Sequence, residues 1–210
     1  HLEHRRQRQM CIRDRVYKWK EKEGLAVFLD PSGYTGIAPR GKKGSLNAEK
    51  RDENGSNGLI LDPNGSLTIC MHGDRRIARL DNWGEKSFTT IVGKYQGKYL
   101  NSPNDLVFAK NRDLYFTDPP YGLKKADKDP LKELDFNGVF KLSPSGELSL
   151  ITKDLTRPNG IAVSNDQKTL YVTISDPKDR RIMAYDITPN GVENGRVFFN
   201  DGGLGKEDRG

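Results

Sequence analysis

The chain has 210 residues, of which 34% are hydrophobic and 30% charged, with 22 glycines and 11 prolines. No apolar run approaches the roughly eighteen residues of a membrane-spanning helix, and two cysteines, Cys11 and Cys70, are too few for a disulfide framework. The net charge is +6, but residues 1–22 carry eight Lys or Arg against three acidic residues. The rest of the chain is therefore nearly neutral, which argues against a nucleic-acid partner and predicts a soluble, turn-rich, all-β protein.

The first fifteen residues, HLEHRRQRQMCIRDR, have neither helical nor strand periodicity and lack the apolar region of a signal peptide. The run MCIRDR resembles a translated sequencing-adaptor read-through, which would make it no part of the natural protein. A natural disordered basic arm is the alternative. Both interpretations place residues 1–15 outside the fold and predict a domain that covers residues 16–210.

A repeated pattern of short strands follows from Val16 onward. The segment YKWKEKEGLAVFLD predicts two strands, and three similar segments then each begin with an asparagine followed by Gly or Asp. These asparagines are Asn57, Asn104 and Asn159, spaced by 47 and 55 residues. Each begins an apolar strand, a turn, a second strand and two further strands, and four antiparallel strands at this period are typical of a β-propeller blade. A β-sandwich is the competing architecture, but it would not repeat its opening tripeptide three times.

The number of repeats predicts an incomplete ring. Two strands and three whole blades give about three and a half blades, so we expect the chain to be a fragment of a propeller. The first strand of each repeat is apolar almost throughout, as in Leu59–Leu61, which predicts burial on both faces.

The opening asparagines are expected at one mouth of the propeller. In an antiparallel meander the start of the first strand and the end of the second lie at the same edge, so His72 and Asp118 are expected there as well. The long segment 119–136 is expected to overhang this mouth as a lid. Amide and carboxylate oxygens are hard donors that suit Ca²⁺, Mn²⁺ or Mg²⁺.

The same residues also have ordinary structural interpretations. Asn-Gly and Asn-Asp are common turn dipeptides, Asp118 precedes two prolines as a turn residue can, and a loop histidine such as His72 is commonly solvated. The residue pattern by itself therefore predicts a propeller with a candidate cation site.

Several motifs, in order, carry a family resemblance: NSPNDLVF, DLYFTDPPYGL, FNGVFKLSPSGEL and RPNGIAVSNDQKTLYV. From about Val16 to Gly210 the chain resembles the family of senescence marker protein (regucalcin), gluconolactonase and luciferin-regenerating enzyme, and most of all its bacterial gluconolactonase branch. The resemblance implies a six-bladed propeller that hydrolyses sugar lactones with one divalent cation. Ca²⁺ is expected first, with Zn²⁺, Mn²⁺ or Mg²⁺ as alternatives, and the expected partner is a small sugar lactone rather than nucleic acid or a membrane.

The resemblance also implies roles for individual residues. Asn159 matches the family's asparagine metal ligand, and Asn104 matches the asparagine that faces both metal and substrate. Asp105 and Asp118 match positions that hold a second calcium in some relatives. Asn57 is expected to contact substrate.

His72 is expected to contact substrate too and is a candidate catalytic group. Two family ligands have no counterpart in this sequence: nothing resembles the early Glu-Gly-Pro motif before Val16, and the Pro-Asp-Gly motif with the general-base aspartate is expected beyond Gly210. The resemblance thus implies that these 210 residues carry half of the metal site and are inactive alone. A non-catalytic propeller that binds a ligand or a protein is the rival hypothesis, and the sequence leaves the oligomeric state and a cytoplasmic or periplasmic location open.

Overall fold

The computed structural model describes residues 8–12, 15–39, 55–189 and 191–200. The strands in these ranges are β1 Arg8–Ile12, β2 Arg15–Lys20, β3 Gly24–Leu29, β4 Ser56–Leu61, β5 Leu67–Met71, β6 Arg76–Asn82, β7 Ser87–Val92, β8 Lys94–Tyr95, β9 Lys98–Tyr99, β10 Leu106–Phe108, β11 Leu114–Asp118, β12 Gly138–Leu142, β13 Leu148–Thr152, β14 Pro158–Val163, β15 Thr169–Ile174, β16 Arg181–Thr188 and β17 Gly191–Asn200. One short 3₁₀ helix, Ala126–Lys128, lies in the long segment after β11. No helix in the described ranges has the length and apolar character needed to cross a membrane.

The strands form antiparallel sheets between neighbours in sequence. Three sheets have four strands each, in the orders β4-β5-β6-β7, β10-β11-β12-β13 and β14-β15-β16-β17. A three-stranded sheet, β1-β2-β3, precedes them, and β8 and β9 form a small hairpin. The all-β class and the four-stranded repeat predicted from the sequence are therefore confirmed.

The chain divides into two compact units, and each has its own apolar core. The first unit comprises residues 1–104 and 120–135, and the second comprises residues 105–119 and 136–210. Core side chains of the first unit are Val16, Phe28, Leu29, Leu67, Ile69, Met71, Ala78 and Leu80. Core side chains of the second unit are Ala109, Tyr115, Val139, Leu155, Ile161, Leu170, Val172, Ile174 and Tyr185. Burial in this second core raises the pKa of Tyr115 to about 12.

Burial is deepest in the second strand of the first two four-stranded sheets. Every residue of β5 and of β11 is buried, whereas the first strands β4 and β10 are only partly buried. The expectation that the first strand is buried on both faces is therefore wrong. The strand order explains this difference, because each first strand is an edge of its sheet and each second strand has a neighbour on both sides.

The N-terminal region also differs from its predicted structure. Strand β1, Arg8–Ile12, pairs with β2 in a register that sets Cys11 opposite Val16, although the sequence assigned these residues to a tail outside the fold. Backbone hydrogen bonds of a hairpin need no side-chain periodicity, so the pattern of apolar residues could not reveal this strand. Residues 1–7 and 13–14 of the predicted tail lie outside the described residues.

Candidate functional site

A backbone hydrogen bond joins Asn104 to Gly58, the residue that follows Asn57. Asn57 lies near the start of β4 and is exposed, whereas Asn104 is only 4% exposed. The Gly58 N–H donates to the Asn104 carbonyl at 2.7 Å. The structure therefore places the starts of the first two repeats side by side.

His72 lies in the turn between β5 and β6 and is 3% exposed. A solvated loop histidine is thus excluded, and the imidazole belongs to the interior of the first unit. The backbone carbonyl oxygen of His72 faces Gly122. A Cβ at position 122 would come within 2.9 Å of this oxygen and within 2.6 Å of Ser102 Cβ. The Gly122 N–H also donates to Ser102 Oγ at 2.8 Å, so a side chain at position 122 would disrupt a close contact.

The long segment after β11 packs into the first unit. Within residues 120–135, Leu123 and Leu134 are 6% and 3% exposed. Asp129 is also buried, and its carboxylate accepts hydrogen bonds from the backbone N–H groups of Lys125 and Leu131, both at 2.9 Å. The segment is therefore a folded part of this unit, and its expected role as a lid stays a prediction.

Asn159 is the predicted site residue with the best-defined surroundings in the second unit. It lies half-buried in β14, and its side-chain Nδ2 donates to Ser175 Oγ at 3.2 Å. The hydroxyl of Thr117, at the end of β11, donates to the Asn159 carbonyl. With Nδ2 engaged, the amide Oδ1 is the group of this side chain that can face a cation or a substrate.

Asp105 and Asp118 have different surroundings. The Asp105 carboxylate accepts from the Leu106 N–H at 2.9 Å through Oδ1 and from the Ile161 N–H at 3.0 Å through Oδ2. It thereby ties the start of β10 to β14. Asp118 is fully buried at the end of β11, opposite Gly138 of β12. Within the described ranges, no three His, Cys, Asp or Glu side chains are grouped so that they could hold a metal ion.

Two threonines, each the penultimate residue of a second strand, were not predicted from the sequence. Thr117 Oγ1 accepts from the Asp105 N–H at 3.2 Å, and Thr173 Oγ1 accepts from the Gly160 N–H at 2.8 Å. Each hydroxyl therefore holds the residue that follows an opening asparagine. The aligned repeats contained this signal, since a threonine is the penultimate residue of the second strand in both, and Cys70 stands at the equivalent position of the first repeat. A thiol is a weak acceptor, and there the N–H after the asparagine bonds to a carbonyl instead.

The loop after β15 carries an ionised carboxylate next to Ser175. The pKa of Asp176 lies below its usual value, chiefly because the Lys178 N–H donates to its carboxylate, at 3.0 Å. The Ser175 N–H donates to the Arg157 carbonyl at 3.0 Å, which fixes the backbone on which the Ser175 hydroxyl stands. The partner of the Asn159 side chain is thus itself held in place.

The model of the SMP-30/Gluconolactonase/LRE-like region matches residues 14–208 of this chain. The chain belongs to this family. Gluconolactonase of Zymomonas mobilis subsp. mobilis is 40% identical to it over 184 residues, which are 88% of this chain and 49% of that protein. The family predicted from the sequence motifs is thereby confirmed.

Two solved structures show the same fold. The gluconolactonase XC5397 of Xanthomonas campestris has a TM-score of 0.69 and 31% identity, over 89% of this chain and 55% of that one. A luciferin-regenerating enzyme has a TM-score of 0.59 and 17% identity, over 90% and 55% of the two chains, and at that identity it supports the fold alone. The chain spans about half the length of these relatives.

Proposed function

We propose that the protein to which this chain belongs hydrolyses lactones, with a sugar lactone such as gluconolactone as substrate. The observation that carries this proposal is the 40% identity to the Zymomonas gluconolactonase across 88% of the chain. In the reaction, water adds to the ring carbonyl carbon, the bond to the ring oxygen breaks, and that oxygen leaves as a hydroxyl. The aspartate expected to take the proton from water matches no residue of this chain, and His72 is the candidate among the predicted residues.

For the cation, we propose Asn159 as one ligand, with Ca²⁺ as the metal and Zn²⁺, Mn²⁺ or Mg²⁺ as alternatives. The donor chemistry fits, because an amide oxygen is a hard neutral ligand, and the Ser175 contact at 3.2 Å leaves that oxygen available. When bound, such a cation supplies positive charge that polarises the lactone carbonyl. Ser175 orients the side chain of Asn159, and Thr117 holds its backbone carbonyl.

Separate proposals apply to the other predicted residues. Asn104 is proposed to face metal and substrate, in line with its burial and its backbone bond to Gly58. Asn57 and His72 are proposed as substrate contacts. Asp105 and Asp118 are retained as candidates for a second calcium, although the backbone bonds of Asp105 already supply a structural reason for its carboxylate. We further propose that the four-stranded sheets are blades of a six-bladed propeller.

The test uses the product of the complete gene and measures hydrolysis of δ-gluconolactone with and without a chelator. We expect a chelator to abolish the enzyme-dependent rate and Ca²⁺, Mn²⁺, Mg²⁺ or Zn²⁺ to restore it. Asn159→Ala should lower kcat by at least about a hundredfold, because loss of a direct ligand exceeds the roughly 10–100-fold cost of losing an outer-shell group. Asn64→Ala, at an exposed asparagine in a turn, is the matched control and should retain full activity.

Each outcome discriminates between the proposals. Hydrolysis that persists in the chelator would support the lactonase activity and contradict its dependence on a cation. Asn159→Ala with unchanged cation affinity and turnover would remove the ligand assignment. A folded gene product that binds the lactone without hydrolysing it would favour the rival, a non-catalytic binding propeller.

A further inference from the structure

Arg75 adopts a backbone conformation that is unusual for an arginine. It ends the turn between β5 and β6 with a φ of 57°, in the left-handed region that glycine and asparagine favour. Its N–H donates to the His72 carbonyl at 3.2 Å, which closes the turn. Because glycine would satisfy this turn without strain, the position calls for an explanation that involves the side chain.

The Arg75 side chain is buried and contacts two consecutive residues of the first unit. Its exposed fraction is 2%, and its Nε donates to the Leu100 carbonyl at 2.7 Å. The guanidinium carbon lies 5.3 Å from the centroid of the Tyr99 ring, within the range of a cation–π contact. A buried guanidinium without such partners would be strongly destabilising, so these contacts stabilise the buried charge.

Glu133, in the long segment 120–135, contacts the same two residues from another side. Its Oε2 accepts from the Tyr99 N–H at 2.8 Å, and its Oε1 lies 3.8 Å from Arg75 Nη1. The Tyr99–Leu100 backbone is therefore held at its N–H by Glu133 and at the next carbonyl by Arg75. Three chain segments meet here: the β5–β6 turn, the end of β9 and the long segment.

Leu100 begins the buried segment that leads to Asn104. Leu100, Asn101 and Ser102 are 0% exposed and Asn104 is 4% exposed. Ser102 Oγ accepts from the Gly122 N–H of the long segment at 2.8 Å, and Glu133 accepts from the Tyr99 N–H, so the segment 99–104 is tied at two points to residues 120–135. A displacement of Leu100 would therefore be transmitted along a short buried segment to Asn104.

We propose that Arg75 is a positioning residue, which together with Glu133 holds the Tyr99–Leu100 backbone and thereby fixes Asn104. The role of Asn104 toward substrate rests on the proposed function, whereas the contacts of Arg75 and Glu133 do not. Loss of the Arg75 side chain should loosen residues 99–104 and the segment 120–135 together. Lactone binding should then weaken more than the chemical step slows, so KM should rise more than kcat falls.

The experiment measures backbone hydrogen exchange in the product of the complete gene carrying Arg75→Gly. Glycine removes the side chain and also the strain of the positive φ. If Arg75 served only the turn, the amides of Arg75→Gly would therefore exchange as slowly as those of the unsubstituted protein, or more slowly. We expect exchange of the Tyr99 to Asn104 amides and of residues 120–135 to accelerate by about tenfold or more, the change that corresponds to about 1.4 kcal/mol. Arg180→Gly is the control. The sequence Asp-Arg-Arg-Ile occurs twice, at residues 74–77 and 179–182, and Arg180 is the exposed counterpart of Arg75 in the second copy.

Two further variants keep the proposal falsifiable if Arg75→Gly fails to fold. Glu133→Gln keeps an acceptor for the Tyr99 N–H but removes the ion pair, and it should accelerate exchange in the same two regions by a smaller factor. Arg75→Lys keeps the charge without the forked geometry and should restore part of the protection and of the KM. Unchanged exchange at 99–104 in folded Arg75→Gly, or in Glu133→Gln if that variant alone folds, would overturn the proposal. Absence of lactone hydrolysis in the unsubstituted protein would instead overturn the proposed function, while the exchange result still decides the role of Arg75.

Discussion

At the scale of single residues, the hydroxyl of Thr117 joins two predicted site residues. It accepts from the Asp105 N–H and donates to the Asn159 carbonyl, and the residue is 0% exposed. Thr117→Val preserves the shape but leaves both backbone groups without this partner, which should cost about 1–3 kcal/mol of unfolding free energy. We expect lower lactonase turnover together with weaker cation binding, measured by steady-state kinetics and by titration with Ca²⁺.

Thr173 provides the comparison for Thr117, since it has the equivalent position, one residue before the end of its strand. Its hydroxyl accepts from the Gly160 N–H and is not bonded to the Asn159 carbonyl. Thr173→Val should destabilise the protein by a similar amount with a smaller effect on cation affinity. Thr117→Ser, which restores the hydroxyl, should recover that affinity. Equal cation affinity in the two valine variants would contradict a specific role of Thr117 toward Asn159.

At the scale of elements, the long segment 120–135 is held by buried leucines as well as by hydrogen bonds. Leu134 is 3% exposed, and Leu134→Ala should lower the free energy of unfolding by about 2–5 kcal/mol, as for other buried leucines. Lys128→Ala, in the exposed 3₁₀ turn of the same segment, should change it by about 0.5 kcal/mol or less. Urea unfolding measures the free energy of both variants. Equal urea midpoints for the two would indicate that packing of this segment does not stabilise the unit.

The elements also show what a single sequence can predict. The period of the repeat and its turn dipeptides were sufficient for all three four-stranded meanders. Asn159 lies at the predicted strand start, as the second residue of β14, where the pairing with β15 is irregular. Burial was harder to predict, because it depends on what packs against a strand or a turn. The His72 carbonyl, for example, faces Gly122, which is distant in sequence. The bond from the Ile161 N–H to the Asp105 carboxylate was not predictable either, since it joins residues 56 positions apart.

At the scale of the whole molecule, the repeat predicts equivalent packing in each four-stranded sheet. Each second strand has a leucine at or next to its start: Leu67 and Leu114 begin β5 and β11, and Leu170 is the second residue of β15. These leucines are 0%, 2% and 0% exposed. The three positions lie in two units with separate cores, yet each leucine meets the same local arrangement of a central strand between two neighbours. The repeat therefore predicts a similar energetic cost at all three sites, whichever unit contains them.

Substitution of each of these leucines by alanine tests that prediction. Because the side chains are fully or almost fully buried, each variant should lose about 2–5 kcal/mol of unfolding free energy, the sum of lost apolar burial and the cavity left behind. Leu61→Ala is the control, since Leu61 ends β4 and is 48% exposed, and its loss should be about 0.5 kcal/mol or less. Urea titration gives the free energies, and hydrogen exchange shows which sheet loses protection in each variant. A leucine whose removal cost no more than that of Leu61 would show that its sheet lacks the packing of the others, and the three segments would then be alike in sequence without being equivalent blades.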